Sequence, residues 1–316
     1  MKNFALVGAA GYIASRHMKA IKETGNQLVV ATDKNDSVGV IDSYFPNADF
    51  FIEFERFDRH IEKLHRLGPD KQINYVSICS PNFMHDSHIR FALRSGAHAI
   101  CEKPLVLNPW NVDALKESEE RFGYKVYNVL QLRLHPSIIK FKEEVQANPN
   151  KKHEITLTYI TGRGNWYHFS WKGQEDKSGG IATNIGVHFF DMLHWVFGKV
   201  IQNKLHFIDK ERASGFLEFE KANVKWFLSI DVNDLPAEAK ARGQRTFRSF
   251  SCDDKEVEFS SGFEDLHTKV YKDILGGRGF GLDEARASIQ IVHDIRNMKP
   301  VRSKELEHPF LKNRSN

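Results

Sequence analysis

The stretch Phe4–His17, FALVGAAGYIASRH, constrains the fold of this chain more than any other. Ala5, Leu6 and Val7 form an apolar run, Gly8 and Gly11 follow at once, and an amphipathic pattern continues through Ile21. That order predicts a strand, a tight turn and a helix. The turn needs Gly8 because a side chain there blocks a close backbone approach. Amides at the start of the following helix then make an anion site suited to a pyrophosphate. A second apolar run, Leu28–Ala31, ends at Asp33, where an acid is placed to accept hydrogen bonds from an adenosine ribose. The spacing is G-x-x-G-x-x-A rather than the full G-x-G-x-x-G, and an ordinary βα turn has the same outline. Position at the start of the chain and the placement of Asp33 favour a dinucleotide site.

The rest of the first third repeats that rhythm. Strands are predicted at Gln27–Thr32, Asp49–Ile52, Tyr75–Cys79, Ala97–Cys101 and Lys125–Leu130, with helices at Val38–Tyr44, Phe57–Leu67, His85–Ser95 and Val112–Phe122 between them. Strands at helix-separated intervals mean βαβ units and a parallel sheet. After Gln131 the pattern changes. One helix, Pro136–Gln146, leads into strands at Glu154–Thr161, Lys204–Ile208, Ala213–Glu220, Val224–Asp231, Thr246–Cys252 and Glu256–Phe259. Alternation within them fits an open, mostly antiparallel sheet with one wet face. Helices are expected at Gly186–Phe197, Phe263–Leu275 and Asp283–Met298, and Lys312–Asn316 reads as a frayed end. The expectation is therefore an α/β domain over residues 1–124 and an α+β domain over residues 125–316.

Composition narrows the function classes. A net charge of +4, with 27% charged residues mixed in sign along the chain, makes nucleic acid a poor partner. Cys79, Cys101 and Cys252 are widely spaced, show no metal-ligand spacing and suit reduced thiols in the cytoplasm. Met1–Asn3 leads straight into a strand, so no signal peptide is expected, and no apolar run approaches a membrane span.

Ligands of open parallel sheets bind at the carboxyl ends of strands. Three predicted strand ends carry polar residues: Ser80-Pro81-Asn82 with His85 a turn later, Glu102-Lys103-Pro104, and Gln131-Leu132-Arg133. Each also reads as an ordinary turn or surface pair. Lys103 stands out, since Pro104 restrains the backbone beside it and partial burial lowers an amine's pKa toward useful values. In the second domain Gly179-Gly180 precede Thr183-Asn184-Ile185-Gly186-Val187-His188, and Asn184, His188 and Asp191 recur at helical spacing. An N-capped helix with a core histidine has the same pattern, and His188 with Asp191 would also suit a metal. The loop Thr161–Trp171 is rich in aromatics, with Arg163 and Lys172 nearby. It suits a planar base and a phosphate or carboxylate.

These motifs together, G-A-A-G-Y-I-A, S-P-N with His85, E-K-P and G-V-H-x-x-D, resemble the glucose-fructose oxidoreductase / inositol dehydrogenase family, in order and over essentially the whole chain. Within it, T-x-R-G-N-W-Y and T-N-I-G-V-H-F-x-D-M-L look like the UDP-N-acetylglucosaminuronate 3-dehydrogenases of surface-polysaccharide and O-antigen synthesis. The resemblance implies a Rossmann domain binding NAD through Gly8, Gly11, Tyr12, Ile13, Asp33, Ser80, Pro81, Asn82, His85, Glu102, Lys103 and Gln131. It implies Lys103 and His188 as catalytic residues, and Lys103, Arg163, Tyr167, Thr183, Asn184 and His188 against the sugar nucleotide. No metal is expected, because the acid that often stands four residues before the histidine is Asn184 here. A homo-oligomer, a tetramer, is implied as well. The expected reaction is oxidation of the 3-hydroxyl of UDP-2-acetamido-2-deoxy-D-glucuronate. A dehydrogenase of a free sugar or inositol, and a non-catalytic dinucleotide sensor, are the alternatives.

Overall fold

The computed structural model describes residues 1–257 and 265–312. By compactness the chain forms two units. The first comprises Met1–Gln131 and a return segment that ends at Arg286; the second runs from Leu132 and is completed by residues from Ala287 onward.

In the first unit the chain alternates as expected: β1 (Asn3–Val7), α1 (Ala14–Glu23), β2 (Gln27–Thr32), β3 (Asp49–Phe51), α2 (Phe54–Arg66), β4 (Tyr75–Ile78), α3 (His85–Arg94), β5 (His98–Cys101), α4 (Pro109–Phe122) and β6 (Val126–Asn128). The predicted helix over Val38–Tyr44 is a 3-10 turn, Gly39–Ser43. The sheet order is β3-β2-β1-β4-β5-β6, with every pairing parallel. Phe4, Ala5, Leu6 and Val7 are all buried, as a strand covered on both faces must be. The order reverses between β1 and β4, so the loops after these two strands flank a topological switch point, the usual ligand crevice of such sheets. Helix α4 begins three residues before its predicted start, because Pro109 occupies the first helical position, where its missing N–H is harmless. It stops at Gly123, which adopts φ 74°.

The boundary predicted at 124/125 cuts off a strand of this unit, since β6 pairs with β5. A helix from far along the chain also belongs here: α10 (Leu266–Leu275) packs on α1, with Tyr271 stacked on Phe4 at 5.8 Å.

The second unit holds α5 (Pro136–Ala147), β7 (His153–Thr161), the short helices α6 (Trp166–Phe169) and α7 (Glu175–Ser178), α8 (Val187–Phe197), β8 (Val200–Ile208), β9 (Arg212–Phe219), β10 (Ala222–Ser229), α9 (Ala237–Ala241), β11 (Thr246–Cys252) and β12 (Lys255–Glu256). Helix α11 (Leu282–Asn297) straddles the boundary between the units, and α12 (Pro309–Lys312) lies in the second. The sheet order is β12-β11-β7-β10-β9-β8, antiparallel except for the β7–β10 pair. Its main core gathers Phe141 of α5, Phe190 and Phe197 of α8, Trp226 of β10 and Val292 of α11. The opposite face is not simply wet. Ile160, Phe227 and Leu235 are buried there, and Phe310 stacks on Phe227 at 5.5 Å, so the C-terminal segment of the same chain covers part of it. The predicted strand 256–259, the start of the helix predicted over 263–275 and the predicted frayed tail fall largely outside the described residues.

Candidate functional site

Five strand ends of the first sheet carry the predicted residues of that unit. After β1, Gly8 adopts φ +91°, and a Cβ there would stand 2.7 Å from the backbone of Cys79 and Ser80. The close approach expected of Gly8 is thus to the loop after β4. Helix α1 begins with no side-chain cap and no acid in its first turn, and the amides of Tyr12 and Ile13 find no partner among the described residues. Tyr12 itself is 89% exposed and Ile13 is half-buried. An uncapped helix start beside a glycine turn fits the pyrophosphate of a dinucleotide. Asp33 is half-buried at the end of β2. One of its oxygens accepts from the Ala10 amide at 3.0 Å and the other from Asn35 N at 2.9 Å. It therefore shapes the glycine turn, a role the sequence did not disclose.

Ser80, Asn82 and His85 are buried beyond β4. Ser80 Oγ lies 2.8 Å from His88 Nδ1. Burial lowers the pKa of His88 to about 4, so the imidazole is neutral and shares one hydrogen bond with the serine hydroxyl, its direction set by the ring tautomer. His85 is 1% exposed, with Nε2 2.8 Å from Ser80 O and Nδ1 2.7 Å from Pro104 O. Burial holds its pKa below the ordinary value against the pull of these two carbonyls. A neutral imidazole donates to one of these carbonyls, and the ring sits between the Ser80-Pro81 turn and the Glu102–Pro104 turn. Glu102 is likewise committed inward. Its Oε1 lies 3.0 Å from His17 Nε2 and 2.9 Å from His267 Nε2, and its Oε2 accepts from Lys103 N at 3.2 Å. Both residues were expected to meet the cofactor; their polar groups build the loop instead. Gln131, which ends the first segment of the unit, has a buried Oε1 with no partner among the described residues.

In the second unit, the helix predicted from Gly186 is preceded by a π turn, Ala182–Gly186, from which α8 continues. Such widened turns concentrate at functional sites. Gly186 permits it, since a Cβ there would stand 2.6 Å from Leu228 and 2.8 Å from Phe190. Of residues 181–190 only His188 is not fully buried. Asn184 Nδ2 donates to Tyr167 Oη at 2.7 Å, joining α6 to the π turn, and burial raises the tyrosine's pKa. Thr183 is wholly buried, and its hydroxyl has no partner among the described residues. Asp191 does not serve a metal with His188. It forms a buried bidentate pair with Arg133, at 2.7 and 3.0 Å. That pair also removes Arg133 from the strand-end residues open to a ligand. Arg163 is exposed after β7, and Lys172 sits over the rings of Trp171 and Trp166 at 4.8 and 5.5 Å. Burial, and then the charge of Arg163, lowers the Lys172 pKa.

Sequence reasoning missed His17, His267, Tyr271 and Asn128. The first lay unremarked in the glycine-turn motif, and the others carried no local signal.

Residues 2–129 match the GFO_IDH_MocA oxidoreductase family with its NAD-binding Rossmann fold, and residues 151–232 match that family's C-terminal alpha/beta domain. Two crystal structures of the WlbA (WbpB) dehydrogenase from Thermus thermophilus are each 50% identical over 98% of this chain and 100% of theirs. One, with NAD and alpha-ketoglutarate, superposes with a TM-score of 0.95; the other, with NAD and UDP-GlcNAcA, with 0.94. Glucose-6-phosphate 3-dehydrogenase of Bacillus subtilis is 24% identical over 62% of this chain, a match spanning 54% of that enzyme. Among the described residues no helix is long and apolar enough to cross a membrane.

Proposed function

Because the chain belongs to the GFO_IDH_MocA family of NAD-binding oxidoreductases, we propose that it oxidises the 3-hydroxyl of UDP-2-acetamido-2-deoxy-D-glucuronate (UDP-GlcNAcA) to the 3-keto sugar, a step in surface-polysaccharide synthesis. The observation that carries this reading is the 50% identity, over nearly the full length, to a dehydrogenase crystallised with NAD and UDP-GlcNAcA. A dehydrogenase of free sugars or inositol is less favoured, since the glucose-6-phosphate and inositol enzymes match at 24% and 25% over only part of their length.

NAD, when bound, supplies the hydride acceptor. The chain supplies the rest. Gly8 and the uncapped start of α1 hold the pyrophosphate, and Asp33 holds the ribose and disfavours a 2′-phosphate. His188 takes the hydroxyl proton, and Lys103 steadies the same oxygen as charge develops on it. Arg163 meets the carboxylate or diphosphate, and Thr183, Asn184 and Tyr167 orient the sugar. The two electrons and one hydrogen leave the sugar carbon as hydride, and the second hydrogen leaves the oxygen as a proton. The thiols of Cys79, Cys101 and Cys252 are free, and burial raises each pKa, which suits a cytoplasmic setting. We further place the chain in a homotetramer, to be checked by light scattering; a monomeric mass sinks that part.

The test is mass spectrometry of the nucleotide sugar after incubation with NAD, alongside NADH absorbance. A product two hydrogens lighter from UDP-GlcNAcA is expected, with no turnover of the free uronate. Turnover of the free sugar alone overturns the assignment. An arm with alpha-ketoglutarate, the compound held in one of the Thermus thermophilus structures, asks whether a 2-oxo acid returns NADH to NAD while being reduced to the 2-hydroxy acid.

A further inference from the structure

The turn that carries Lys103 is held with unusual completeness. Glu102 N donates to Ile78 O at 3.0 Å, and Glu102 O accepts from Asn128 Nδ2 at 3.2 Å. Lys103 N donates to Glu102 Oε2 at 3.2 Å, and Pro104 O faces His85 Nδ1 at 2.7 Å. Glu102 N, Glu102 O and Lys103 N are each held from within the first unit. The centre of the arrangement is the Glu102 carboxylate, with His17 of α1 and His267 of α10 both on Oε1.

The hydrogens along this network have one consistent direction. Burial opposes charge on Glu102, but the hydrogen bonds from His17 and His267 outweigh it and hold the carboxyl well below its ordinary value. Burial keeps His17 below its ordinary value, so it is neutral and has a single N–H. A carboxylate can only accept, so that hydrogen is on Nε2. Nδ1 then accepts from Tyr271 Oη at 2.7 Å, and Tyr271 in turn accepts from Ser77 Oγ at 2.6 Å. The chain of donors runs from Ser77 through Tyr271 and His17 to Glu102. His267 donates from Nε2 and leaves a buried Nδ1 with no partner among the described residues. That unsatisfied atom is tolerated in return for a second donor on Glu102.

We propose that Glu102, His17 and His267 are positioning residues for Lys103: the two imidazoles clamp the carboxylate, and the carboxylate fixes the Lys103 backbone and the direction in which its side chain leaves the turn. The inference rests on the role given to Lys103 above. Its chemical sense is that a long, flexible lysine acts on one oxygen efficiently only from a fixed base. The other titratable groups around Glu102 are His85, Tyr271 and the thiols of Cys79 and Cys101.

The experiment uses the full chain labelled with 15N-lysine, with the Lys103 amide assigned by its loss in Lys103→Arg. In the native protein that amide, bonded to a carboxylate, is expected downfield and insensitive to pH from 5 to 8. His17→Leu and His267→Leu each remove one donor, so Glu102 becomes easier to protonate. The amide should then titrate within that window, and kcat should fall about tenfold or more, with a new limb that rises with pH. NAD affinity should stay the same. His17→Gln keeps a donor near Nε2 and should restore much of the loss. An unmoved Lys103 amide in both leucine variants overturns the proposal, as does stoichiometric zinc in the native protein that is lost in His17→Leu. The amide signal needs no substrate, so a protein inactive on UDP-GlcNAcA defeats the functional reading while the anchoring is still decided.

Discussion

The turn Glu102–Pro104 and the π turn Ala182–Gly186 with its neighbouring loop are built on opposite plans. The first has its backbone groups and its one carboxylate bonded inside the protein. The second leaves the Thr183 hydroxyl buried without a partner among the described residues, and it leaves Arg163, Trp166 and Phe169 open to solvent, Phe169 at 86%. A region already satisfied needs no rearrangement when a substrate arrives, which is what a group acting on a developing charge requires. A region with polar atoms still to be paired gains most from the ligand that pairs them and rejects one that does not. The contrast agrees with the proposed roles, chemistry at the Lys103 turn and selectivity in the loop after β7, with His188 proposed as the proton acceptor.

The largest effect should come from removing the two groups proposed to react. Lys103→Ala and His188→Asn should each lose on the order of a hundredfold or more in kcat, through lost oxyanion support or proton transfer. The double variant should lose much less than the product of the two, because groups acting on one oxygen are not additive. Steady-state kinetics of the four proteins decide it. Near-normal kcat in His188→Asn would return His188 to a structural role and break the division.

How much of this was legible follows the range of the interactions. Strands β2 and β11 have the predicted bounds, because their apolar alternation and turn residues are local. Gly8 was legible for the same reason: a tight turn after an apolar strand leaves little else for a glycine to do. The Glu102 clamp was not, since His17 and His267 are separated by most of the chain. The periodicity of α10 says that one face is buried but not in which core. Its membership of the first unit was therefore hidden, and the single boundary at 124/125 was the natural error. The π turn was hidden too, since a widened turn has no residue pattern of its own. Arg133 and Asp191 each looked exposed to a ligand when taken alone; their pairing across 58 residues removes both.

A smaller effect separates binding from chemistry in the open region. Arg163→Ala should raise KM for the nucleotide sugar about tenfold, as a lost charge-assisted hydrogen bond does, and leave kcat within about twofold. Repeating the measurement with UDP-GlcNAc, which lacks the carboxylate, assigns the contact. An equal rise for both points to the diphosphate, and a rise confined to UDP-GlcNAcA points to the uronate. A fall in kcat with unchanged KM would place Arg163 with the chemistry and blur the comparison.

The smallest effect concerns stability, and it sets one histidine of each unit against the other. Burial lowers His88 of the first unit to about 4 and His308 of the second to about 3, with the charge of His85 adding to the first and that of Lys225 to the second. An unfolded histidine titrates near 6.5. Below that pH the unfolded chain takes up a proton that these folded sites refuse, so the native state loses stability as pH falls from 6.5 toward 4 and keeps it above 6.5. The thermal midpoint should drop by a few degrees for each such histidine between pH 7 and pH 5. His308 lies against Phe227 and Phe310, where a phenyl ring can take its place, at the loss of its contact with Thr158. His308→Phe should therefore shift the midpoint at pH 7 yet narrow the difference between pH 7 and pH 5. His88→Phe should do the same from beneath the Ser80 turn, where it also frees the Ser80 hydroxyl. If the pH 7 to pH 5 difference is unchanged in both variants, the acid sensitivity has another source and neither buried imidazole sets it.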